Sequence, residues 1–179
     1  MSLKLILAPD SRLKKSAMKV VKFDENLEVF SNELTRIMNE KGGIGIASIQ
    51  VSDSESFNHY EINENQRKQP RIAIMAVDEV YPIINPEILE KSEETASMEE
   101  GCLSIPNATG LITRPIKIKA KYQDLKGNEI IKDLEGLEAI CYQHELDHLD
   151  GILFPDRMES AIKKALFWKS YERLKNQFR

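Results

Sequence analysis

Gln143-His144-Glu145-Leu146-Asp147-His148 constrains this chain more than any other stretch. Two histidines four residues apart project from one face of an α-helix, so their ring nitrogens can meet at one metal ion. Glu145 lies beside that point without needing to coordinate it, and there it can take a proton from a metal-activated water. The plain alternative is a pair of ordinary helix histidines that face solvent or are satisfied by hydrogen bonds. Leu137, Ile140, Leu149 and Ile152 flank the motif with apolar residues. The pattern predicts a helix over about 137–149, preceded by Gly136 and stopped by Gly151.

A catalytic site of this kind needs a third protein ligand and an open position for water. Downstream, Glu159 and Glu172 are the acids long enough to serve, and no third histidine follows; His59 lies far upstream. The two cysteines are the other candidates. Cys141 sits about 7 Å along the helix axis from a metal shared by His144 and His148, at ~1.5 Å rise per residue. Its short side chain leans toward the N-terminus, away from that ion, so it reads as a small apolar wall residue. Cys102 stands in Glu100-Gly101-Cys102-Leu103-Ser104, beside a glycine that permits close backbone approach. A lone cysteine is often a buried small hydrophobe. Next to a helix with one ligand missing, metal ligation becomes the better reading.

The rest of the chain places this helix in a mixed fold. Leu27, Phe30, Leu34 and Ile37 recur at steps of three and four and predict a helix over about 26–40, ended by Gly42 and Gly43. Strand-like runs follow at 72–77, 82–85, 116–122 and 129–134, with a hairpin turn at 124–128. A third helix is expected over about 160–177, packed through Phe167, Tyr171, Leu174 and Phe178. Residues 52–69 are polar and read as an exposed loop near the cleft. Strands grouped between helices, without βαβ alternation, indicate an α+β fold with antiparallel β-sheets around the central helix. The 179 residues fit one domain, 1–179. Net charge is −4, which argues against a general nucleic-acid coat, yet residues 157–179 carry seven Lys/Arg against two Glu. No apolar run approaches the roughly 18 residues of a membrane span. The N-terminus is too short in apolar residues for a signal peptide, so a cytoplasmic protein is expected, with no DNA or membrane partner.

Gly43-Ile44-Gly45-Ile46-Ala47-Ser48-Ile49-Gln50 opens like a phosphate loop but lacks the lysine-serine ending. Its small residues instead suggest a backbone that must approach something closely, with the Gln50 amide available to polarise a carbonyl oxygen.

Three segments in this order, 43–50, 100–104 and 143–148, resemble the peptide deformylase family, which shows G-x-G-x-A-x-x-Q, E-G-C-L-S and Q-H-E-x-D-H. Residues 5–13 and 106–114 are also similar to that family. Ser48, Ile49 and Ser52 depart from its common pattern without touching a ligand or base. The resemblance implies a hydrolase that removes the formyl group from N-formylmethionyl nascent chains and releases formate. It implies Cys102, His144 and His148 as ligands of one divalent ion, typically Fe2+, with Zn2+, Ni2+ or Co2+ as possible occupants. It implies Glu145 as general base and then acid, with the Gln50 amide and the Leu103 backbone N–H on the oxyanion. Ile44, Met98, Leu137, Ile140 and Cys141 would line the methionine pocket, and Gly45 and Gly101 would offer backbone groups to the peptide. Glu100 and Arg114 match a pair that could brace the metal loop. Some members dock on the ribosome through the C-terminal helix, which the basic tail here allows; a solvated basic face is the alternative. Competing functions are another metallohydrolase with the same helix, such as a peptidase, and a non-catalytic metal-binding scaffold.

Overall fold

Ile72-Ala73-Ile74-Met75 is apolar at every position, and strand geometry divides those residues between two halves of the interior. A computed structural model describes residues 3–57 and 65–177, with the side chains of 176 and 177 left out. In strand β4 (Ile72–Ala76), period-two geometry sends Ile72 and Ile74 to one face and Ala73 and Met75 to the other. Strand β2 (Gly45–Ala47) pairs with it antiparallel, setting Ile46 opposite Ile74 and Ala47 opposite Ala73. β5 (Val80–Lys91), β8 (Lys117–Gln123) and β9 (Glu129–Glu135) complete an antiparallel sheet of order β2-β4-β5-β8-β9.

Helix α1 (Glu25–Lys41) covers the face carrying Ile46, Ile72 and Ile74. The Asp24 carboxylate accepts the Leu27 N–H at 3.2 Å to start it, and Gly42 at φ +67° ends it in the left-handed region that glycine adopts without strain. Phe30 and Leu34 are fully buried, contributing roughly 1.5–3 kcal/mol each. Helix α2 (Gly136–Leu149) covers the opposite face, against Ala47, Ala73, Met75 and Ile83. This helix carries both histidines of the motif and is buried on nearly every side. The single Tyr142 hydroxyl proton is shared between the carbonyls of Lys121 and Glu87, and Gln143 Nε2 donates to Pro115 O at 2.9 Å. Those bonds pin the helix to the sheet through groups that would otherwise be buried and unsatisfied.

Several elements differ from the sequence expectations, each for a local reason. β5 runs through Pro82 and Pro86 and is longer at both ends than the run expected at 82–85. A bulge between Ile84 and Glu87, where Asn85 takes φ +50°, accommodates Pro86. β6 (Thr95–Cys102) and β7 (Ile105–Pro115) form a two-stranded ribbon missing from the sequence reading. Its buried positions hold Glu100, Gly110 and Arg114 as well as Ile105 and Ile112, so the sequence lacks the apolar alternation that marks a half-buried strand. The short apolar stretch at 4–7 forms one isolated bridge, Leu5 with Val51. Residues 52–69 are not simply an exposed loop in their described parts. Phe57 packs edge-on against Phe30 at 5.2 Å, and β3 (Gln66–Pro70) pairs parallel with β1 (Ser16–Met18). Arg67 and Gln69 are buried there, with Arg67 donating to the carbonyls of Ile49 and Val51. His59 and the remainder of that segment, 58–64, lie outside the described residues.

Helix α3 (Ala161–Gln177) packs through Phe167, Trp168 and Tyr171. Leu174, expected on the packed face, is 37% exposed, and Phe178 lies outside the described residues. Among the described residues, no helix is long and apolar enough to cross a membrane.

Candidate functional site

The ribbon and α2 meet where β6 ends. Cys102 closes β6, and its register partner Ile105 opens β7, so the residues between them turn the thiol back toward the helix. Cys102 Sγ lies 3.2 Å from His148 Nε2, and His148 Nε2 lies 3.1 Å from His144 Nε2. One ligand atom from each of the three residues falls within 4.8 Å of the other two. Two nitrogens on a tetrahedral ion at ~2.1 Å stand about 3.4 Å apart, so the donors already lie close to coordinating spacing. Thiolate and imidazole suit iron, zinc, nickel and cobalt alike.

The surroundings prepare these donors. The Glu100 carboxylate accepts from His144 Nδ1 at 2.8 Å, which leaves the Nε2 lone pair pointing at the shared centre. Arg114 grips Glu100 through Nε at 2.5 Å and Nη2 at 3.0 Å. Burial alone would raise the Glu100 pKa, but the bonds from His144 and Arg114 outweigh it and hold the carboxyl at about 2. Burial drives His148 well below its ordinary value, with repulsion from His144 and Arg114 adding to it; the neutral imidazole that a metal requires is favoured. Burial would lower His144 too, yet the acceptors Cys102 and Glu100 raise it to about 10. The same negative surroundings that attract a proton there attract a cation.

Glu145 sits one residue along from His144, almost fully buried, with its Oε2 lacking a hydrogen-bond partner among the described residues. Burial pushes its pKa up to about 7, against the opposing charge of His144. Gly45 makes room for it: a Cβ there would run into the Glu145 carboxylate and stand 3.0 Å from Cys141 Sγ. Gln50 ends the tight 3-10 turn Ser48–Gln50. Its Oε1 accepts the Ala47 N–H at 2.8 Å, so its amide nitrogen faces Ser104 Oγ at 3.2 Å and Cys102 Sγ at 3.4 Å.

A cavity of about 130 Å³ opens beside these groups. Ile44, Gly45, Met98, Leu103, Leu137, Ile140 and Cys141 line it, and Gln50, Cys102, His144 and Glu145 form its polar end. Cys141 is a buried wall residue whose thiol pKa is pushed well up by burial and by the nearby carboxylate of Glu145. Gly101 is the sequence-predicted substrate residue absent from the lining; it lies exposed on the ribbon. Glu159 lies outside the three-residue donor group, as does Glu172.

Sequence reasoning missed Asp147, Ser104 and Arg157. Asp147 is buried inside α2 and bonded to both Arg114 and Arg157. An acid at a buried helix position demands basic partners, and that was the available signal; the partners themselves lie 33 and 10 residues away.

The polypeptide deformylase family model matches residues 2–164. A peptide deformylase from Novosphingobium aromaticivorans is 36% identical over 191 residues, covering 96% of each chain. One from Natranaerobius thermophilus is 39% identical, covering 87% of this chain and 91% of the relative. The crystal structure of peptide deformylase from Ehrlichia chaffeensis superposes with a TM-score of 0.83 at 29% identity, covering 99% of this chain and 98% of that one.

Proposed function

Because the chain belongs to the polypeptide deformylase family, we propose that Cys102, His144 and His148 hold its metal ion and that Glu145 moves the reacting proton. The protein is a hydrolase that removes the formyl group from formyl-methionyl nascent peptides, and metal dependence is typical of its family. The observation that carries the residue assignment is the convergence of three ligand atoms beside a buried carboxylate oxygen that has no partner among the described residues.

A divalent ion bound there supplies Lewis acidity toward the formyl oxygen and lowers the pKa of water to near neutral. Ferrous iron is the ion we assign first, with zinc, nickel and cobalt suited to the same donors. Glu145, poised at about 7, accepts a proton from the attacking water and returns it to the departing amine. The Gln50 amide and the Leu103 N–H donate to the oxyanion, a role supported by the Ala47 bond that turns the Gln50 nitrogen toward Cys102. The substrate methionine enters the apolar cavity, and Gly45 and Gly101 offer backbone groups to the peptide. Residues 1–179 act as one catalytic domain in the cytoplasm.

The test loads the protein with iron anaerobically and records formate from formyl-Met-Ala-Ser. Turnover is expected to vanish on chelation and to return with added iron. Undiminished turnover by metal-free protein would refute the ligand assignment, and cleavage of unformylated peptide would favour a peptidase. Gly45→Ala is expected to lower formate release by ~10-fold or more while the protein stays folded, since the new methyl displaces the Glu145 carboxylate. Equal rates for Gly45→Ala and wild type would show that this carboxylate position is not needed.

The basic α3 contacts ribosomal RNA in this reading, with Lys163, Lys164 and Lys169 on its surface. Co-sedimentation with ribosomes should weaken steeply as salt rises. Binding that ignores salt, or is missing at low salt, would remove the idea.

A further inference from the structure

Behind His144 lies a chain of four charged side chains that ends at the surface. Asp147 Oδ2 accepts from Arg114 Nη1 at 2.8 Å and from Arg157 Nε at 3.0 Å, and its Oδ1 accepts from Arg157 Nη2 at 2.5 Å. Arg114 gives its remaining edge to Glu100, and Glu100 holds His144 Nδ1. The cluster therefore contains two carboxylates and two guanidiniums. Glu100, Arg114 and Asp147 are buried, whereas the Arg157 side chain is 47% exposed. Arg157 ends the 3-10 turn Phe154–Arg157, which is anchored by Phe154 stacking 6.5 Å from the His144 ring and meeting Phe167 of α3 edge-on at 5.3 Å.

We infer that Arg157 is a positioning residue for the metal centre: by occupying Asp147 it commits Arg114 to Glu100, and Glu100 keeps His144 Nε2 aimed at the ion. The inference rests on His144 being a ligand, as proposed above. Charge counting gives the reason. Without Arg157, one buried guanidinium faces two buried carboxylates, and Asp147 loses two of its three donors. Arg114 is then drawn toward Asp147 and away from Glu100. The His144 ring loses its fixed partner and its ligand geometry loosens. Loss of an outer partner of a ligating histidine costs 10–100-fold in metal affinity, and Arg157 acts at one remove, so about 10-fold is expected. Arg157 differs from a surface ion pair of median worth because its fork is bidentate on an acid that is itself buried.

The test uses the full-length protein loaded with cobalt, whose thiolate absorption reports Cys102 in the site, and follows loss of that band into excess chelator. Arg157→Met should release cobalt about 10-fold faster than wild type. Arg157→Lys, which restores the charge without the fork, should release it at an intermediate rate. Arg36→Met, which breaks an exposed helix pair with Glu33 and Glu40, should leave release unchanged. The melting temperature of each metal-free variant is recorded separately. Release from Arg157→Met within twofold of wild type would overturn the inference even if its melting temperature fell. Should Arg157→Met fail to fold, Arg157→Lys decides alone, wild-type release rates counting against the proposal. A wild-type protein that shows no thiolate–cobalt band would instead overturn the ligand assignment, and the inference with it.

Discussion

Glu145→Ala should lower formate release from formyl-Met-Ala-Ser by at least ~100-fold while leaving the bound metal in place. The size follows from general acid–base catalysis, where a positioned proton carrier contributes roughly 10²–10⁴-fold. Retention of the metal follows from geometry, because the donors converging at the centre come from Cys102, His144 and His148. Glu145 also has little structural work to do. Its Oε2 accepts no hydrogen bond among the described residues, and its neighbours include the backbone of Gly45 and the thiol of Cys141. Burying such a group costs stability, so the alanine variant should melt at or above the wild-type temperature. Glu145→Gln keeps the shape and removes the proton carrier, and it should be as inactive as Glu145→Ala. Near-normal turnover in either variant, with metal content measured alongside, would rule out the proton role. Loss of metal from both would mean that the carboxylate belongs to the coordination sphere.

Arg114→Met is expected to destabilise the fold by about 3–5 kcal/mol. The arginine is buried, and it bridges two buried acids from different elements, Glu100 on β6 and Asp147 on α2. Asp147 keeps Arg157 in the variant, but Glu100 keeps only His144. A buried carboxylate left in that state pays the desolvation cost without its counter-charge. For a chain of this size the melting temperature should drop by roughly 6–20 °C. Adding Glu100→Gln to Arg114→Met removes the stranded charge and should restore part of the loss, a coupling that a double-mutant cycle measures. Equal stability of Arg114→Met and wild type in urea titration would show that the network contributes nothing net. The double variant should still bind metal poorly, since its glutamine is a weaker acceptor for His144 Nδ1 than the carboxylate.

What could be read from the sequence was whatever is written locally. α1 and α2 appear within one residue of their expected bounds because apolar spacing and glycine stops are properties of a short window. β4, β8 and β9 appear for the same reason. β6 carries Cys102 yet neither ribbon strand was legible, because the positions they bury hold Glu100, Gly110 and Arg114 beside Ile105 and Ile112 and so imprint no apolar period. Cys102 became a candidate through chemistry instead: a two-histidine helix leaves a ligand position open, and a Gly-Cys pair could fill it. Arg67 shows the opposite failure. A polar segment reads as solvent-facing, whereas its guanidinium is buried on the carbonyls of Ile49 and Val51. Long-range pairing of that sort leaves no mark in any window, and the same holds for Asp147 with Arg114.

The two faces of the sheet present different side chains at their paired centre. Toward α1 the paired residues are Ile46 and Ile74; toward α2 they are Ala47 and Ala73. Both alanines are fully buried and let α2 come close to the sheet at that point. Exchanging one bulky aliphatic for another beneath α1 can be absorbed at less than about 1.5 kcal/mol. An added branch at position 73 would tilt the histidine-bearing helix away from the ribbon, detuning coordination from a position that touches neither metal nor peptide.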